Sequence, residues 1–246
     1  MTEPSDRRSV LGRALRILDV VKDGAGGLNL SEISRRSALP LTTAHRIASE
    51  LHEWGALERD AAGRYQIGLR LWELATVAPR SVGLQRAALP FMRDLFETTH
   101  RGVHLAIREK DQVVFVERFL SPETVTDRAQ VGAHYELHVT AIGLVLLAHA
   151  PHALQEEVVT GPLVSPRWHP PVTERELRQT LAHVRLSGYA TTPIRDEHRS
   201  VAAPIHGPGG AVVAALSLIL PLAEPYGPRL AHLRATARGI SRALAS

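Results

Sequence analysis

Leu39-Pro40-Leu41-Thr42-Thr43-Ala44-His45-Arg46-Ile47-Ala48-Ser49-Glu50-Leu51 is the stretch on which the fold of this chain turns. At helical spacing, Leu41, Ala44, Ile47, Ala48, Leu51 and Trp54 share one face, while Thr42, Thr43, His45, Arg46 and Ser49 share the other. Pro40 stands where a first helical residue tolerates proline. Such a helix packs its apolar side on a bundle and turns hydroxyls, an imidazole and a guanidinium outward.

Upstream, Ser9 can cap a helix carrying Val10, Ala14, Ile17, Leu18 and Val21 at helical spacing, ending at Gly24-Ala25-Gly26-Gly27. Ser31 is expected to cap a short second helix through Ser37, with Ile33 inward, Arg35 and Arg36 outward, and Ala38-Leu39 as the turn. Downstream, Gly55 ends the third helix, and Ala56–Arg59 and Arg64–Ile67 read as strands around Asp60-Ala61-Ala62-Gly63. Three helices and a hairpin make an N-terminal winged helix-turn-helix, mostly α, over residues 1–68. That order places one helix N-terminus in a DNA major groove. His45 and Arg46 are then the base-edge candidates. Thr42 and Thr43 can contact phosphate or a thymine methyl, and Leu41 opens the same turn. Arg64 and Tyr65 on the wing, with Arg35 and Arg36, are candidates for the phosphate backbone, and Arg13 either joins them or is simply solvated. Taken alone, the polar turn would read as an ordinary surface helix; its setting favours double-stranded DNA.

The chain has 246 residues, 44% of them hydrophobic, which is enough for two domains with real cores. Without cysteine, disulfides, thiolate metal sites and cysteine nucleophiles are excluded. The net charge of +4 comes from 29 cations against 25 anions, so location rather than total charge must point to a polyanion. All but Lys22 and Lys110 of those cations are arginine, the side chain suited to bidentate phosphate and base contacts. MTEPSDRR precedes no apolar signal-peptide core, and Val212–Leu220 is too short to span a bilayer as a helix, so a cytoplasmic location is expected.

Residues 69–83 read as a linker helix built on Leu69, Leu71, Leu74 and Ala75, interrupted near Pro79. Residues 84–246 then form a second domain. Helices are expected at 84–98, 140–150, 173–187 and 227–245, the third opened by the capping box Thr173-Glu174-Arg175-Glu176. Strands are expected at 102–108, 112–118, 124–131, 200–206 and 211–220, an α+β pattern without a βαβ rhythm. There is no G-x-S-x-G elbow, Walker loop or dinucleotide fingerprint, so catalysis is not expected; binding a small molecule is the economical role, with no cofactor. His134 and His138, four apart, raise a metal-sensing alternative, but they follow Gly132 in a strand or loop and no HExxH is present. The Asp196-Glu197 run beside Arg195 and Arg199 reads as solvated charge.

Ser9-Val10 through Ala14-Leu15-Arg16-Ile17-Leu18, the LPLTTAHR turn, and Gly63-Arg64-Tyr65-Gln66-Ile67-Gly68 resemble the N-terminal signature of the IclR family of bacterial transcriptional regulators. Gly102-Val103-His104-Leu105-Ala106, Val131-Gly132, Leu137-His138-Val139-Thr140-Ala141-Ile142-Gly143, Leu147-Ala148, Gly188-Tyr189-Ala190 and Val201-Ala202-Ala203-Pro204-Ile205 resemble landmarks of its effector domain, in order along nearly the whole chain. The resemblance implies a C-terminal GAF-like effector-binding domain with a curved antiparallel sheet. It also implies dimers or dimers of dimers on palindromic operators, and a small acidic or aromatic metabolite as effector. The implied pocket draws on Val131, Gly132, Ala133, His134, Tyr135, Leu137 and His138, on the helix start at Thr140, Ala141, Gly143 and Leu144, and on Ser200, Val201, Ala202, Ser217 and Leu218. Leu144 stands where members commonly carry lysine, and residues 190–201 are shortened and lack the usual acidic pair. Leu144 and Ile194 therefore point to an effector with aryl or alkyl bulk. The leading reading is a repressor of a catabolic operon released by its metabolite. The alternatives are a histidine-ligated metal sensor and, less favoured, an enzyme with an appended DNA-binding domain.

Overall fold

Ser9 Oγ accepts a hydrogen bond from Gly12 N at 2.9 Å and opens α1 (Val10–Lys22). The computed structural model describes residues 9–24, 26–77, 79–121, 130–165, 172–194 and 197–246. They belong to two compact units, Met1–Val82 and Gly83–Ser246.

In the first unit α2 (Leu30–Ser37) is capped by Asn29, not Ser31. Asn29 Oδ1 accepts from Glu32 N while Glu32 Oε2 accepts from Asn29 N, both at 2.9 Å, so the reciprocal box with its carboxylate three residues on decides the start. Ala38 leaves α2 in the left-handed region, φ 53°. Pro40 is extended and lies one position before α3 (Leu41–Trp54), which ends at Gly55 with φ 85°, a conformation natural to glycine. The wing is β1 (Leu57–Arg59) antiparallel to β2 (Tyr65–Ile67), with Leu28 bridged to Tyr65 beside it. Ile17, Val21, Leu28, Ile33, Ala44, Ile47, Ala48, Leu57 and Tyr65 form the core. Leu41 and Trp54, expected on the same inward face, are largely exposed at the two ends of α3. The short α4 (Leu69–Ala75) follows the wing.

Next, α5 (Pro79–Thr99) is one 21-residue helix that begins earlier than the expected start at Leu84 and carries Pro90 within it. The strands are β3 (Gly102–Glu109), β4 (Gln112–Phe119), β5 (His134–Glu136), β6 (Ala190–Pro193), β7 (His198–His206) and β8 (Val212–Pro221). They form one antiparallel sheet in the order β5-β4-β3-β8-β7-β6. Its layers are α6 (Ala141–Ala148), α7 (His152–Thr160) and α8 (Glu174–Ser187) on one face, and α5 with α9 (Tyr226–Ala245) on the other. Thr140 Oγ1 accepts from Gly143 N at 2.9 Å to start α6, all eight residues of which are buried. The Thr173–Glu176 box opens α8 as the sequence predicts. The helix α7 and the strand β6 were not anticipated. Of the strand expected at 124–131, residues 124–129 lie outside the described residues and Val131 is in a turn. The charged pair Arg195 and Asp196 also lies outside them.

Candidate nucleic-acid interface and effector pocket

The outward face of α3 starts with an uncapped helix N-terminus, because Pro40 supplies no side-chain acceptor, leaving first-turn amides able to receive a phosphate oxygen. Leu41, Thr42, His45 and Arg46 are exposed and Thr43 is half-buried. Arg46 Nη1 meets Glu50 Oε1 at 2.6 Å one turn along, both side chains being more than half exposed. A pair of that kind is worth about 0.3–0.5 kcal/mol, so Arg46 can leave it for a base edge. Arg35 and Arg36 are exposed in the last turn of α2, and Arg13 is half-buried on α1.

The wing residues differ from expectation. Tyr65 is only 2% exposed and belongs to the core, so its ring cannot lie on a phosphate backbone. The antiparallel bridge to Leu28 seats the Tyr65 ring in that core. Arg64 donates from Nη2 and Nε to Gly27 O at 2.7 and 3.0 Å and lies 3.6 Å from Glu32 Oε2, which makes it a latch between wing and α1–α2 loop. The Asn29 N–H, with Arg64, Arg36 and Arg35 adding to it, holds the Glu32 carboxyl below its ordinary value. Arg59, which the sequence did not single out, is the exposed wing cation; it stacks 4.5 Å over the Tyr65 ring and donates to its hydroxyl.

In the second unit, alternation sorts the expected pocket residues. Val201 and Leu218 face α5 and α9, whereas Ala202 faces α6. Val201 and Leu218 therefore fall out of the pocket, because neighbours along a strand point to opposite faces. Ser200 and Ser217, flanking or flanked by those inward leucines and valines, share the α6 face with Ala202, and so does Thr192, the direct partner of Ser200. His104 is in register with Ser217 and with Arg118, and its ring meets Phe115 edge-on, with centroids 5.5 Å apart. Thr192, His104 and Arg118 were not among the expected pocket residues: β6 is four residues ending in proline, and His104 stands among the apolar Val103, Leu105, Ala106 and Ile107.

The face is closed by Leu137, Ala141 and Leu144, all buried, and by Tyr135, which packs edge-on to Phe115 at 5.6 Å. Gly143 must lack a side chain, since a Cβ there would lie 2.3 Å from Leu137 O. Val131 and His134 are exposed, Gly132 takes φ 79°, and Ala133 is half-buried, so this segment lies at the surface rather than on the buried face. His134 Nδ1 pairs with Gln112 Oε1 at 3.1 Å, whereas buried His138 places Nε2 3.1 Å from Val164 O. The two imidazoles have separate partners, and among the described residues no three His, Asp or Glu side chains group as metal ligands. The metal-sensing alternative thus lacks support. Among the described residues no helix is long and apolar enough to cross a membrane.

Comparison with known proteins fits this geometry. Residues 10–61 match the IclR helix-turn-helix domain, and residues 77–244 match the bacterial transcriptional regulator IclR C-terminal domain. The glycerol operon regulatory protein of Streptomyces coelicolor is 31% identical over 249 residues, covering 95% of each chain. The HTH-type transcriptional regulator XynR of Escherichia coli is 28% identical over 226 residues, covering 90% of each. An IclR homologue from Microbacterium hydrocarbonoxydans, solved in complex with 4-hydroxybenzoate, superposes with a TM-score of 0.90 at 37% identity, covering 96% of this chain and 99% of that one.

Proposed function

Because this chain belongs to the IclR family of bacterial transcriptional regulators, we propose that it represses a catabolic operon until a small ring-bearing or aliphatic acid releases it. The observation that carries the proposal is the two-sided α3, buried through Ala44, Ile47 and Ala48 and exposed through Thr42, His45 and Arg46. We assign base reading to His45 and Arg46, phosphate contact to Thr42, Thr43, Arg35 and Arg36, and a supporting role to Arg13. Residues 1–68 form the DNA reader, 69–83 the link and 84–246 the effector domain. Effector binding must favour one arrangement of the dimer over another, since equal affinity for both shifts nothing.

The effector assignment is supported by the buried small-residue face under α6 and by the 4-hydroxybenzoate held by the homologue. Assembly as a homodimer, or as a dimer of dimers, on a palindromic operator is supported by the apolar side chains left exposed on α1 (Val10, Leu11, Leu15) and on α4 (Leu69, Trp72, Leu74). We place the protein in the cytoplasm with its DNA and read it as a regulator without enzymatic turnover. The test is fluorescence anisotropy with the promoter fragment flanking its own gene, with and without 4-hydroxybenzoate and straight-chain acids. A sequence-specific complex that one such acid weakens is expected. Failure to form any complex at low ionic strength removes the reading.

A further inference from the structure

On the face of the sheet opposite α6, where β7 meets the start of α9, two arginines stand over two tyrosines. Arg199 alternates along β7 with Val201 and pairs with Leu220, which places it on the α9 side. Its guanidinium lies 5.5 Å over the Tyr226 ring and donates from Nη2 to Leu222 O at 2.5 Å. Arg234, about two turns into α9, lies 5.2 Å over the Tyr189 ring and donates to Ser187 O. The two rings are 6.0 Å apart at 46°, and their hydroxyl oxygens meet at 3.3 Å. A ring face and one carbonyl thus orient each half-buried guanidinium. Neither has a carboxylate partner among the described residues, whereas Arg101 and Arg229, also half-buried, share Glu224 at 2.9 and 2.7 Å.

The groups left over at this corner are donors. Arg199 Nε is buried with no hydrogen-bond partner, and such orphans are rare in folded proteins. Of the two phenols, one donates to the other. The bond to Tyr226, then burial, holds the Tyr189 phenol above its ordinary value, so Tyr189 is the donor and the Tyr226 proton is left unmatched. Two oriented cations and a spare hydroxyl are the complement of an oxyanion. We propose that this corner binds the phosphate group of a small phosphorylated metabolite, at a site separate from the effector pocket and independent of the operator and effector readings. Charge selects phosphate over carboxylate, since a phosphate dianion balances both guanidinium groups and a carboxylate only one. Bound there, the phosphate fastens the start of α9 to β7.

Calorimetric titration of the full chain with inorganic phosphate and with acetate, at constant ionic strength, tests this in the wild type, Arg199→Gln, Arg234→Gln, Tyr226→Phe and Arg35→Ala. The wild type should show one saturable phosphate site per chain and bind acetate about tenfold more weakly. Arg199→Gln and Arg234→Gln should each weaken phosphate about tenfold or more, as expected for one lost charge-assisted hydrogen bond, and Tyr226→Phe, which keeps both rings, about threefold or more. Phosphate should raise the melting temperature of the wild type and of Arg35→Ala, and not that of the folded Arg199 and Arg234 variants. No saturable binding by the wild type, equal affinity for acetate, or a loss confined to Arg35→Ala, which puts the anion on the DNA-binding face, overturns the proposal. Should an arginine variant fail to fold, Tyr226→Phe decides, and unchanged phosphate affinity there overturns it.

Discussion

The Cβ that Gly68 lacks would lie 2.2 Å from the carbonyl oxygen of Gly55. Gly68 N donates to Ala56 O at 2.9 Å, Leu69 N donates to Glu58 Oε1 at 2.8 Å, and the Arg70 guanidinium sits 4.5 Å over the Trp54 ring, so the end of α3 and the start of α4 are clamped together. Gly68→Ala forces backbone against backbone. We expect a loss of about 1–3 kcal/mol in urea unfolding, typical of overpacking, with weakened operator binding. Unchanged stability would show that the junction yields.

Arg46→Ala is expected to cost about 1–3 kcal/mol against the operator and to relax preference at one base position. Arg35→Ala should instead weaken all sequences alike and reduce the slope of log affinity against log salt by about one. Anisotropy titrations across a salt series separate the two. Identical slopes and base preferences for both variants would contradict the assignment.

Arg64→Ala should act on folding rather than on DNA. It removes two charge-assisted donors to Gly27 O from a partly exposed latch, a loss of about 1 kcal/mol, and leaves the salt slope of DNA binding unchanged. A reduced slope with unchanged thermal stability would return Arg64 to the phosphate contacts.

Glu32 carries a pH signature. Its carboxyl is depressed in the folded state by the Asn29 N–H and nearby arginines, so its stabilising contribution is present above the ordinary carboxylate value of 4.5. That contribution is lost as pH falls from there through the lowered folded value. Glu32→Gln should flatten this part of the stability curve between pH 5 and the acid limit of folding, measured by thermal melts as a function of pH. An unchanged acid slope would argue that other carboxylates dominate it.

How much of this was readable beforehand depends on what each residue's pattern encodes. The 3.6-residue spacing of Ala44, Ile47 and Ala48 and the Thr173–Glu176 box are local signals, and the helices follow them. The sequence reading put the α2 cap at Ser31 and passed over Asn29, whose capping box with Glu32 starts the helix two residues earlier. The wing hairpin was legible, but the inward turn of Tyr65 depends on its bridge to Leu28, a distant residue. Val201 and Leu218 entered the expected pocket together with Ser200 and Ser217 through the family resemblance, but alternation separates them onto opposite faces of the sheet. Thr192 was invisible because four residues ending in Pro193 give no strand periodicity, and only the pairing with β7 reveals it.

If Arg46 reads a base edge as proposed, its contact with Glu50 makes α3 its own rival for the operator. A duplex would then have to draw the guanidinium away from a carboxylate it already holds, at a cost of about twofold in affinity for a pair of this strength. On the proposed assignment a guanine edge offsets that cost, because its O6 and N7 accept two N–H bonds from the guanidinium, whereas a step without that acceptor pair does not. Under that assignment Glu50 would sharpen the discrimination between base steps without itself touching a base.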